Sequence, residues 1–177
     1  SQSRGTYVGT IRTNGSAQVD VAFGATAASG GSAGTLGLWN AFNRVPVAAY
    51  ALESADNWNY ATGSFRPYNN STGNRVSLIR GLNEAAVAAD FTGVVSVSSG
   101  TISPGVAIGL DSTSAATGIY RREVGLTIAN ARTAQFRGPV GLGYHFLQAL
   151  EYGGTNATFY GDGGATLQTG LSLFTDW

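Results

Sequence analysis

The chain is a succession of short segments, about ten of them, that alternate apolar with small or polar residues and end at Gly, Pro, Asn, Asp or Ser. A strand buried on one face needs a second sheet to cover it, so this pattern favours a sandwich or barrel. The expectation is an all-β fold, a jelly-roll-like antiparallel β-sandwich forming one domain over residues 1–177. Residues 7–11 and 19–23 bracket Asn14-Gly15, a pair suited to a type I′ hairpin turn. Further strands are expected at 45–52, 57–62, 75–82, 94–98, 105–110, 120–128, 141–152, 158–160 and 166–174, with a flexible loop over 27–34. Residues 83–91 fit a short helix as well as a strand, and 39–44 fit a single helical turn.

Charge narrows the partners. Charged residues are 11% of the chain, against roughly 25% in ordinary soluble domains. The net charge is zero, and the basic residues are ten scattered Arg without a Lys. No field is available to concentrate nucleic acid, so that partner is disfavoured. No apolar run approaches the roughly 20 residues of a membrane helix, so membrane insertion is not expected. The chain has no Cys, which removes disulfides and thiolate chemistry together. Sheets usually protect their edges with Lys or inward charges. A chain without Lys and without net repulsion suits a closed homo-oligomer that hides edges between subunits.

Candidate chemistry is sparse. His145 is the sole histidine, and alternation puts it with Leu147, Ala149 and Glu151 on one face of its strand, with Tyr144, Phe146 and Gln148 on the other. It reads as a packed, hydrogen-bonded residue at a core or subunit seam, together with Tyr144 and Phe146. No Gly-x-Ser-x-Gly elbow, P-loop, dinucleotide fingerprint or calcium loop occurs. Glu53 with Asp56 reads as a strand end and turn rather than an acid–base pair. No catalytic residue, metal or cofactor is therefore expected, and the chain reads as a non-enzyme. The richest segment is residues 57–71, where Trp58, Tyr60, Phe65 and Tyr68 stand among amides, hydroxyls and Arg66. Flat rings beside hydrogen-bonding groups suit sugar or receptor recognition. Arg66, Tyr68, Asn69 and Asn70 are the expected contacts, while Trp39, Trp58 and Tyr60 are expected in the core or at a subunit seam.

Several segments also carry a resemblance when taken in order. They are Trp39-Asn40-Ala41-Phe42-Asn43-Arg44-Val45, Asn57-Trp58-Asn59-Tyr60-Ala61-Thr62, Arg66 through Asn74-Arg75-Val76, Ala107-Ile108-Gly109-Leu110-Asp111-Ser112-Thr113, and Gly141-Leu142-Gly143-Tyr144-His145-Phe146-Leu147. Over residues 5 to 174 the chain resembles virion structural proteins of tailed phages and prophages, often attached to tail-fibre-like polypeptides. The resemblance implies a homotrimeric β-sandwich on a tail fibre, a head fibre or spike, or the capsid exterior. Its partners would be itself, other virion proteins and a host surface glycan or receptor. It carries over no catalytic residue. Capsid decoration and a carbohydrate-binding module outside any virion are the competing expectations.

Overall fold

The computed structural model describes residues 5–24, 33–99, 103–122, 128–163 and 167–177. Two largely antiparallel layers face each other, the sandwich-like all-β arrangement that the alternation required. One layer runs β2 (Val21–Ala22), β3 (Gly34–Leu36), β8 (Arg75–Arg80), β13 (Gly143–Tyr152), β10 (Gly105–Leu110). The other holds β12 (Asn130–Gly138) beside β9 (Val87–Val97). Beyond β9 come β14 (Ala157–Tyr160) with β6 (Asn57–Asn59), and β15 (Gly170–Asp176) with β5 (Pro46–Leu52). β11 (Thr117–Arg122) joins the layers by pairing with β10 and β12. A small separate ladder of β1 (Gly9–Ile11) and β4 (Leu38–Asn40) packs against β8. Leu36, Leu78, Ile108 and Leu147 of the first layer meet Phe91, Val95, Leu171 and Leu173 of the second in one buried cluster. Burying each such side chain stabilises the fold by about 1.5–3 kcal/mol, so this cluster outweighs any single polar contact.

Both central strands fork. β9 keeps β12 along one edge, while its other edge pairs with β15 at residues 88–92 and with β14 at residues 94–97. Gly93 sits where the partner changes. A Cβ there would lie 2.7 Å from Val106 Cγ1 and 3.1 Å from Phe91 Cζ, inside the packed interior. Gly93→Ala should therefore cost about 1–3 kcal/mol through overpacking, measurable as a lower urea midpoint. β13 keeps β10 on one edge and changes on the other from β8 to β7 (Phe65–Pro67), whose register runs Leu150↔Pro67 to Tyr152↔Phe65.

Several local expectations are corrected. Residues 7–11 and 19–23 do not pair as a hairpin, because β1 pairs with β4 and β2 with β3. The isolated bridge Thr13↔Val19 and the Asn14 N–H donating to the Gln18 carbonyl close the turn. Its positive φ of 58° falls on Ala17, while Asn14 Oδ1 accepts from the backbone of Ser16 and Gln18. A side-chain turn has replaced the type I′ geometry. Residues 39 and 40 are strand rather than helical turn, and residues 87–91 belong to β9. There the long pairing with β12 overrides the helix propensity of the Ala/Val run. β3 and β8 run parallel, an exception in the antiparallel scheme. The loop expected over 27–34 lies outside the described residues except for 33–34, as do residues 123–127 of the strand expected at 120–128.

Candidate functional site

The aromatic-amide segment folds inward instead of outward. Trp58 on β6 and Arg66 on β7 converge on Glu151, which stands on the core-facing side of β13 with its side chain wholly buried. Trp58 Nε1 donates to Glu151 Oε2 at 2.7 Å, and Arg66 Nε donates to Oε1 at 2.6 Å. The backbone N–H of Asn69 donates to the same carboxylate. Burial nevertheless pushes the Glu151 carboxyl up to about 7, against the pull of Arg66 and the two other donors. The Arg66 guanidinium also lies 3.8 Å over the Tyr60 ring.

Tyr68 opens a 3₁₀ turn, Tyr68–Asn70, immediately after β7. It was expected as an exposed contact, and the structure places it at 0% exposure. Its ring meets Trp58 and Phe91 edge-on at centroid distances of 4.7 and 4.8 Å, and its hydroxyl donates to the Tyr160 carbonyl at 2.7 Å. Desolvation raises the Tyr68 hydroxyl far above its ordinary pKa. Asn69 and Asn70 take φ of 53° and 52°, a left-handed geometry that Asn tolerates better than most residues. A second buried carboxylate holds the turn from the other side. Glu53 Oε1 accepts from the backbone N–H groups of Ser54 and Ala55, each at 2.9 Å, and Oε2 accepts from Asn74 Nδ2 at 2.7 Å. That Asn74 amide also donates to the Tyr68 carbonyl. Both carboxylates are thus enclosed and face donors, an arrangement that fixes the chain's path rather than presenting chemistry to solvent. Of the four expected contacts only Asn70 is fully exposed; Arg66 and Asn69 are half-buried.

The remaining candidates divide. Trp39 is buried beneath Tyr7 and against Gly81, outside the main cluster, as expected of a core residue. Trp58 and Tyr60 are half-buried against the main core. His145 Nδ1 meets Asp111 Oδ2 at 2.7 Å, and its Nε2 meets the Leu142 carbonyl at 3.1 Å, so both ring nitrogens are engaged. Phe146 is half-buried under Arg75, whose guanidinium lies 4.7 Å above its ring. Tyr144 is exposed on the outer face of β13. Comparison with protein-family models, curated proteins and solved structures returns no match. Among the described residues no group of three or more His, Asp and Glu is placed to hold a metal ion, and no helix is long and apolar enough to cross a membrane.

Two surface features were not foreseen. The first is a polar cleft of about 250 Å³ where the turn around residues 13–19 overhangs β3, β8 and Tyr144. The second is a mainly apolar hollow along β5 and β15, lined by Pro46, Val47, Ala48, Ala86 and Phe174, with Thr175 and Asp176 at its polar end. It adjoins a second hollow bounded by Phe42, Arg44, Glu84 and Asp176. Phe42 is 70% exposed, and among the described strands β5 pairs with β15, while on its other edge the Tyr50 N–H donates to the Phe23 carbonyl. Neither cleft nor hollow has a motif in the sequence, since each is assembled from strands far apart in the chain.

Proposed function

We propose that the chain is a structural module of a phage virion, displayed on the particle surface as part of a fibre or spike, self-associating as a homotrimer and serving host attachment. The observation that carries the assembly is the apolar surface along β5 and β15, where Val45, Phe42 and Phe174 are exposed. A second exposed apolar band lies on the β1–β4 ladder, with Val8 at 64% exposure beside Tyr7, Ile11 and Leu38. Two different apolar surfaces on one chain suit a head-to-tail contact, which closes as a ring and so fits threefold symmetry better than a two-fold dimer. Zero net charge offers no repulsion against such a ring. The resemblance of the ordered sequence motifs to those of tailed-phage virion proteins favours the viral setting, and the enclosed Tyr68 turn suits a particle component that must keep its shape.

In solution the chain should run at three times its 18.2 kDa mass. Phe174→Glu puts a charge into the apolar hollow and should reduce the species to the single-chain mass at micromolar concentration without lowering thermal stability, as read by light scattering and calorimetry. A wild-type chain that stays monomeric would refute self-assembly. Antibody labelling of intact particles should decorate fibre or spike tips. Labelling spread over the capsid would favour decoration instead, and its absence from particles would refute the virion reading.

A further inference from the structure

We infer that the cleft beneath the turn at residues 13–19 binds a single neutral sugar unit of a larger glycan, an inference that rests on the attachment reading for its biological role. The Arg12 guanidinium lies 3.4 Å over the Tyr144 ring and forms a flat wall with it. Tyr144 is 38% exposed, so part of the residue stays accessible beside the stacked guanidinium. Its hydroxyl is 3.1 Å from Ser77 Oγ, which fixes the ring's orientation. Across the antiparallel bridge from Arg12, Asn14 Nδ2 donates to both oxygens of Asp20, at 3.0 and 3.1 Å, and holds that carboxylate in place. Neither Arg12 nor Asp20 forms an ion pair with a described residue. A guanidinium with five donors and an acceptor-only carboxylate therefore line one small space.

That pairing selects the ligand. An anion such as a phosphate would meet the repulsion of Asp20, and a cation that of Arg12. An apolar ligand would leave both charges and the Thr13 and Thr35 hydroxyls without a ligand partner. A polyhydroxylated neutral ring uses donors and acceptors alike. The volume of about 250 Å³ lies just below the roughly 300–1,000 Å³ of sites for drug-sized molecules, which suits one small unit rather than an extended chain. Single-unit affinity in so open a site should be on the order of 1 mM. Three copies on one particle component would raise it by avidity.

The test is saturation-transfer NMR on the full chain with D-glucose, D-galactose, N-acetyl-D-glucosamine and D-glucuronate, for the wild type, Arg12→Ala and Asp20→Asn. Both substituted positions are exposed, so thermal midpoints should be unchanged and report folding independently. Transfer to at least one neutral sugar, reduced tenfold or more in both variants and weak for glucuronate, is the expected result. No transfer to any neutral sugar, transfer in either variant equal to that of the wild type, or stronger binding of glucuronate would overturn it. Failure of the broader reading is separable: sugar binding that depends on Arg12 and Asp20, in a protein absent from particles, upholds the cleft and refutes the virion role. Particle attachment to cells that is unaffected by Arg12→Ala refutes the cleft's part in attachment and leaves the virion role standing.

Discussion

Glu151→Ala should destabilise the protein by about 3–5 kcal/mol, measured by urea unfolding at pH 7, because it removes one partner of a buried, multiply bonded charge pair. The Arg66 Nε, the Trp58 indole N–H and the Asn69 backbone N–H all lose their acceptor at once. Arg66 is only 26% exposed at its side chain, so water replaces the lost carboxylate poorly. Glu151→Gln keeps one acceptor oxygen but turns an amide donor toward these donors, and should cost less, about 1–3 kcal/mol. A loss below 0.5 kcal/mol in the Ala variant would contradict the clasp as the element that locks β6, β7 and the 3₁₀ turn to β13.

The same group gives stability a pH dependence of defined sign. Its carboxyl is raised from 4.5 to about 7 in the folded chain, so between those values the folded state holds more protons than the unfolded state. The stability linked to it is fully present below 4.5 and is lost as pH rises through 7. At 1.36 kcal/mol per pKa unit the span reaches roughly 3 kcal/mol. Wild type should therefore weaken relative to Glu151→Gln as pH rises across this window. Parallel profiles for the two proteins would show that Glu151 titrates alike in both states.

Alternation made the layers legible. Along residues 147–151, Leu147 and Ala149 point into the core as their spacing requires, and Glu151 follows on the same face. That register alone was a signal for the clasp, since a carboxylate at a core-facing position must find donors. Its donors could not be read in advance, because Arg66 and Trp58 lie 85 and 93 residues away and come into reach only through the pairing of β13 with β7 and of β14 with β6. Residues 83–91 misled for the opposite reason: local propensity was real, and the non-local ladder with β12 outweighed it. The turn at Asn14-Gly15 lost its hairpin because β1 and β2 each found a better partner in the segment 34–40. Local chemistry located the strands, while pairing over long separations decided the edges, the cleft and the apolar hollow.

Tyr68→Ala is the sharpest separation between a recognition residue and a structural one. A surface contact would lose binding and keep stability. Here the ring fills the space between Trp58, Phe91 and Phe159, and its removal leaves a cavity among aromatic neighbours that are themselves anchored in β6, β9 and β14. The expected cost is about 3–5 kcal/mol, the range for a buried aromatic cut back to Ala. Tyr68→Phe keeps the packing and leaves only the Tyr160 carbonyl without its donor, so it should cost about 0.5–1.5 kcal/mol. Calorimetry on both variants gives the ordering directly. A Tyr68→Ala protein as stable as wild type would mean that the ring is not part of the core, and the aromatic-amide segment would return as the contact surface. If the losses fall as expected, recognition must be sought in residues that remain exposed, among them Asn70 beside the turn and Arg12, Asp20 and Tyr144 around the cleft.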